Sequence, residues 1–108
     1  MAGRPLSYAA VTILHAISEG VRYGFDIMDR TELPSGTVYP ALSRLERDGL
    51  VRSHWEDLET AHDDRRPPRR YYRTTAQGER ALAAALERLQ ALKPLRGPAA
   101  GRAVRSRA

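Results

Sequence analysis

A mainly α domain carrying one small β-hairpin is the fold class that the sequence predicts, and three observations predict it. Four segments place their apolar residues at helical spacing. One pair of short β-type runs flanks a polar stretch. The 108-residue length leaves room for one domain and little else. With 42% hydrophobic and 29% charged residues, most of the chain has the composition to fold.

The first helix is expected over Leu6–Ser18. Leu6, Ala10, Ile13 and Ile17 recur at steps of four, three and four and so share one face. Gly20 supplies a stop. A second, short helix is expected over Tyr23–Arg30, with Phe25, Ile27 and Met28 as its apolar residues and Gly24 a handicap near its start. The third, over Ser35–Gly49, has the strongest pattern, with Val38, Leu42 and Leu45 as its stripe and Gly49 at its end. Proline is tolerated in the first turn of a helix, so Pro40 predicts a regular helix from about Thr37. Ser35-Gly36 then forms the turn into it, and Thr37 or Ser35 caps it.

Leu50–Trp55 and Arg69–Thr74 read as two strands, and Glu56–Pro68 as a long, solvent-facing hairpin loop between them. A last helix is expected over Ala76–Lys93, with Thr75 as cap, a Thr74/Gln77 capping box, and Pro94 as its end. Leu82, Leu86, Leu89 and then Leu92 or Lys93 trace its apolar seam. Beyond it, a Gly/Ala/Pro/Arg-rich tail predicts disorder. Three short helices followed by a two-stranded hairpin is the layout of a winged helix-turn-helix, and the last helix, whose leucine face has few places to go in so small a domain, is expected to be a dimerisation helix. The domain division is therefore 1–75 for the DNA-binding part, 76–94 for the dimerisation helix and 95–108 for the basic tail.

Several function classes drop out. The chain has no cysteine, so it offers no disulfide frame, thiolate metal site or thiol nucleophile. Its apolar runs are far shorter than the ~20 residues that span a bilayer, and MAGRPLSYAA has no secretory core. The expected location is cytoplasmic, with no membrane partner. His15, His54 and His62 are scattered and no catalytic constellation forms around them, so neither an enzyme nor a cofactor is expected. His54, Glu56, Asp57, Glu59, His62 and Asp63 are suitable metal ligands in type, but their spacing across a loop is unspecific, and no metal is expected.

Charge is unevenly placed. The net charge of +5 points to polyanions. Residues 51–64 carry Glu56, Asp57, Glu59, Asp63 and Asp64 against Arg52, and residues 65–75 carry Arg65, Arg66, Arg69, Arg70 and Arg73 with no acid. Setting aside the four tail arginines (Arg96, Arg102, Arg105, Arg107) leaves +1 of the +5, so placement carries more than the total.

At this point the residues resemble a known family. Tyr23-Gly24-Phe25-Asp26-Ile27, Ser35-Gly36-Thr37-Val38-Tyr39-Pro40-Ala41-Leu42, Arg44-Leu45-Glu46, Asp48-Gly49-Leu50-Val51, Arg66-Pro67-Pro68-Arg69-Arg70-Tyr71-Tyr72 and Thr74-Thr75-Ala76-Gln77-Gly78 together resemble the PadR family of bacterial transcriptional regulators, from about Leu6 to Pro94. The combination is specific where any one block is weak. The resemblance implies a homodimeric winged-helix repressor that binds a palindromic operator and dimerises through its C-terminal helix packed on the partner's first helix. The short second helix and the single C-terminal helix match the small branch of the family and leave little room for an effector domain.

Candidate DNA-binding residues follow from position. Ser35 and Thr37 lie at a helix N-terminus, where backbone N–H groups attract phosphate, although hydroxyls there also serve as plain caps. Tyr39 either contacts phosphate or base, or props the helix against the wing. Arg44 sits on the polar side of the same helix, with pairing to Asp48 as its alternative. Arg47, three residues on, is the weaker candidate. Arg65, Arg66, Arg69 and Arg70 stand at the wing, where arginine reaches backbone or minor groove, unless the acidic loop before them neutralises them. Leu6, Ile13, Leu82, Leu86 and Leu89 are expected at the dimer interface, because so small a domain has few other places for a long leucine face. Two other readings compete: a winged-helix interaction module that binds an acidic partner, favoured by the −1 net charge of residues 31–50, and a sensor with a small-molecule effector near Trp55 or between the dimer helices.

Overall fold

Ser7 starts the first helix. The computed structural model describes residues 5–100, with side chains through Leu92. In it the Ser7 Oγ accepts from the Ala10 N–H at 3.1 Å and caps α1, Tyr8–Ser18. Leu6 falls just before the cap and lines one groove with Val11, the arrangement of a hydrophobic staple. The helix α2 spans Gly24–Thr31 and α3 spans Ser35–Arg47. The strand β1, Val51–Trp55, pairs antiparallel with β2, Arg70–Thr74. A short helix α4, Leu58–Asp63, lies between the strands, and α5 runs Ala76–Ala100.

One core joins these elements. Ile13 and Leu14 from α1, Ile27 from α2, and Val38, Leu42 and Leu45 from α3 are almost completely buried. Val51 and Tyr72 of the hairpin and Leu82 and Ala85 of α5 close the same cluster. Strand alternation puts Val51, Ser53 and Trp55 opposite Thr74, Tyr72 and Arg70 on the face toward the helices, and Arg52 and His54 opposite Arg73 and Tyr71 on the other. The outer edge of β2 is also used. The Tyr72 N–H donates to the Arg22 carbonyl at 2.7 Å and Tyr23 bridges to Tyr71.

The structure corrects five expectations. The third helix begins at Ser35, two residues before Thr37. Pro34 occupies its cap position with no side-chain bond, and the Thr37 and Val38 N–H groups reach the Pro34 carbonyl at 2.9 and 3.0 Å. Pro40 thus lies inside the helix. Its missing N–H leaves only the carbonyl of Gly36, an exposed residue open to water, without a helical partner. The Glu56–Pro68 stretch is not all loop. Asp57 caps α4 through the Thr60 N–H at 3.3 Å, and Ala61 is buried beneath it at 1% exposure. Thr74 bonds Glu79 rather than forming a box with Gln77. The last helix continues past Pro94, because a proline removes one hydrogen bond while its φ stays helical. Finally, Ile13 and Leu82, expected at a dimer interface, are 0% and 5% exposed in the chain's own core. They satisfy the hydrophobic requirement within one protomer. The tail from residue 101 onward lies outside the described residues.

The start of α5 is fixed by a tight junction. Thr75 Oγ1 accepts from the Gly78 N–H at 2.9 Å and donates its own proton to the Gly49 carbonyl at 2.7 Å. The Thr75 N–H reaches the Leu50 carbonyl at 3.1 Å. Gly78 comes so close that a Cβ there would lie 2.0 Å from the Leu50 oxygen. Gly78→Ala must push α5 off this turn, and overpacking of this kind costs about 1–3 kcal/mol. The expected result is a clearly lowered melting temperature by circular dichroism; an unchanged melt would show that the junction yields freely.

Candidate nucleic-acid interface

The apolar stripe of α3 faces the core, so its other side faces out. Ser35 and Arg44 are exposed, Thr37 is half-buried, and Tyr39 is 46% exposed. Neither Arg44 nor Arg47 has an ion-pair partner among the described residues, and Arg44 leaves Asp48 alone. Both guanidiniums stand on the outer side of the helix, available to an anion. Tyr39 has a structural contact as well. Its ring lies over Gly24 at the head of α2, so closely that a Cβ on Gly24 would meet Tyr39 Oη at 2.3 Å. It therefore props α3 against α2 rather than against the wing, with part of its surface still exposed.

The four wing arginines do four different things. Arg66 is a structural staple. Its Nη1 and Nη2 donate to Glu56 Oε1 and Oε2 at 2.6 and 2.7 Å, and Nη2 also reaches Asp64 at 3.1 Å. Its expected role in DNA contact is corrected here, because the acids that precede it in sequence take up its charge. Arg69 has its guanidinium 4.1 Å from the Tyr23 ring centroid, while its backbone N–H donates to Glu56 Oε1 at 3.1 Å. Tyr23 in turn packs edge-on against Tyr71 at 5.9 Å. Arg70 bonds Ser53 and Glu46. Arg65, exposed just beyond α4 in a left-handed conformation at φ 57°, has no ion-pair partner among the described residues.

Glu56 organises the base of the wing. Besides Arg66 and the Arg69 N–H, it accepts from the Tyr71 hydroxyl at 3.3 Å, and its side chain is only 7% exposed. The Arg66 guanidinium is the main cause that pushes the carboxyl down to about 2, with the Arg69 N–H and Tyr71 hydroxyl assisting and burial opposing. Arg66 is correspondingly pushed up by Glu56. No group of three or more His, Asp or Glu side chains suited to a metal ion occurs among the described residues.

One interface residue escaped the sequence reading. Glu46 accepts from Ser53 at 2.7 Å and pairs with Arg70 at 3.3 Å, joining α3 to both strands. Glu46 and Arg70 are 24 residues apart, so no local spacing signals the contact.

Glu56 is ionised in the fold at pH values where the unfolded chain takes up a proton. Its contribution to stability is therefore complete above the ordinary carboxylate range and is lost as the pH falls toward about 2. Glu56→Gln should be less stable than the parent at neutral pH, with the gap closing on acidification through that window. A gap independent of pH in thermal melts would refute the ionic staple.

Comparison with known proteins matches this geometry. The model of the transcriptional regulator PadR-like family matches residues 13–84. A PadR family transcription regulator from Clostridium difficile R20291 is similar at 23% identity and a TM-score of 0.75, covering 85% of this chain and 97% of that one. One from Eggerthella lenta is similar at 26% identity and a TM-score of 0.68, covering 86% and 81%. The PcaV regulator from Streptomyces coelicolor, solved with its natural ligand, shares the fold at 20% identity and a TM-score of 0.74, covering 91% and 66%. Curated proteins give no significant match. With 72 of its 108 residues inside the family match and a winged helix in the middle, this chain belongs to the PadR-like family of transcriptional regulators.

Proposed function

We propose that the chain acts in the cytoplasm as a homodimeric, sequence-specific repressor on a palindromic operator. The observation that carries the DNA reading is the outer face of α3. Ser35, Thr37 and Tyr39 stand at its head and exposed Arg44 further along, beside a wing that presents Arg65 and Arg70. The helix head offers N–H groups to phosphate, and arginine offers paired donors to a guanine edge. That no described helix is long and apolar enough to cross a membrane agrees with a regulator free to reach DNA.

Dimerisation rests on the seam between α1 and α5. Pro5, Leu6, Tyr8 and Val11 on one side and Leu89 and Leu92 on the other line an apolar groove of about 390 Å³. Leu86, Leu89 and Leu92 stay 39%, 42% and 50% exposed, and Tyr8 76%. A second copy covering several hundred apolar Å² there would gain several kcal/mol at about 25 cal/mol per Å². Leu6, Leu86 and Leu89 remain as interface residues, and Ile13 and Leu82 do not. A two-fold dimer sets two α3 helices into successive major grooves roughly 34–36 Å apart.

A second reading, a winged-helix module that binds an acidic protein, draws on the same exposed cations, Arg44, Arg47 and Arg65, which a cluster of carboxylates meets as readily as phosphates do. Gel shifts separate the two. The DNA reading expects a preference for the chain's own upstream region over random DNA, with affinity falling steeply as salt rises. Equal affinity for both at physiological salt defeats the operator reading, and no DNA binding together with a stable acidic-protein complex supports the second. Light scattering tests the dimer: Leu89→Glu should yield monomers that remain folded, and an unchanged dimer would remove this seam from the interface.

A further inference from the structure

Arg70 is held differently from the other wing arginines. Its Nε–H donates to Ser53 Oγ at 2.9 Å, and its Nη2 lies 3.3 Å from Glu46 Oε1. The Ser53 hydroxyl donates to Glu46 Oε2 at 2.7 Å, closing a triangle among α3, β1 and β2. The Trp55 ring, its centroid 5.5 Å away, supports the guanidinium. Two of five guanidinium donors are used, and the side chain is 42% exposed, so the others remain open to an acceptor from outside. An ion pair this exposed adds little to stability. What the triangle does instead is fix one cation relative to the helix that carries Ser35, Tyr39 and Arg44.

We propose that Glu46 is a positioning residue for DNA recognition. With Ser53 it holds the Arg70 guanidinium at the junction of α3 and the wing, so that its free edge meets one backbone phosphate only when α3 is seated in register on the operator. The proposal rests on the DNA reading above. A phosphate contact by itself carries no sequence information. Tied rigidly to the reading helix, it does, because a helix seated out of register brings the phosphate to the wrong place. The Glu46 carboxylate enforces this. It keeps Arg70 occupied when no phosphate arrives correctly, so that a phosphate off position must compete with the carboxylate for the guanidinium. Glu46 thereby lowers affinity for DNA in general and raises the ratio of operator to random binding.

Anisotropy titrations of the full chain with its selected operator and with a random duplex, over a salt series, test the proposal. Arg70→Ala should weaken binding to both duplexes and reduce the log–log salt slope by about one. Glu46→Gln should leave the slope unchanged, strengthen random binding and shrink the operator-to-random ratio by roughly fivefold or more. Arg70→Lys should keep the slope and lose the ratio in the same way, since an ammonium lacks the fork that Glu46 and Ser53 orient. On the Arg70→Ala background, Glu46→Gln should change nothing further. The proposal is overturned if folded Arg70→Ala keeps the parent slope, or if the two substitutions add independently. Should Arg70→Ala fail to fold, parent-like ratios in Glu46→Gln and Arg70→Lys overturn it equally. A parent protein with no operator preference removes the proposed function itself, whereas a preference undiminished by Glu46→Gln removes only the role of Glu46.

Discussion

The turn at Gly49-Leu50 and the first turn of α5 meet through Thr75 and Gly78, and the geometry of the whole regulator depends on that meeting. Four elements converge there: the end of α3, the start of β1, the end of β2 and the start of α5. The Thr75 hydroxyl takes the Gly49 carbonyl and caps α5 in one stroke, and the Gly78 backbone lies against the Leu50 oxygen with no space for a side chain. Any change in the direction of α5 is thereby a change relative to α3. In the proposed dimer α5 carries the seam, so this junction also sets the separation and tilt of the two reading helices.

The charge pattern shows how proximity in sequence becomes neutralisation in space. Five acids precede five arginines along the chain, and a hairpin folds the two runs onto each other. Glu56 and Asp64 take Arg66, Tyr23 takes Arg69, and Glu46 with Ser53 takes Arg70. A run of like charge in a sequence is thus no measure of the charge presented to a polyanion. What distinguishes Arg70 from Arg66 is geometry: both are paired, but Arg70 keeps an open edge and Arg66 is 21% exposed among its acids.

Much of the fold was legible because it is periodic. The stripes Ile13/Ile17 and Val38/Leu42/Leu45 name buried faces by spacing alone, and the Tyr71-Tyr72 run with Val51 names a hairpin. The features that escaped depend on contacts between distant residues. A six-residue helix such as α4 has too few turns to show a period, and only the Asp57 cap and buried Ala61 mark it. Pro40 predicts a later start for α3 by a local rule, but the cost it imposes falls on an exposed glycine carbonyl. Gly24 read as a weak helix former, and its actual role, to make room for the Tyr39 ring, needs the tertiary structure to be seen. The proposed site was legible by region: head of α3, exposed face of α3, wing. Which arginine in the wing is held as a staple and which keeps an open edge was not, because that depends on the fold bringing Glu46 and Glu56 beneath them.

The same reasoning sorts the leucines of α5. Leu82 lies in the first turns, where the winged core reaches, and it is spent there. From Leu86 onward the helix outruns that core, and its apolar side meets Pro5, Leu6, Tyr8 and Val11 around the start of α1. Residues that continue one helical stripe therefore divide by distance from the junction at Gly78: near it they are buried in the chain's own core, and far from it they stay exposed, open to the second copy of the proposed dimer. The rigid start of α5 makes that division sharp, since a helix free to swing would fold its outer leucines back onto its own domain. The constraint that orients α3 is thus also what leaves the seam uncovered, and in the proposed regulator DNA-reading geometry and self-association follow from one packing contact.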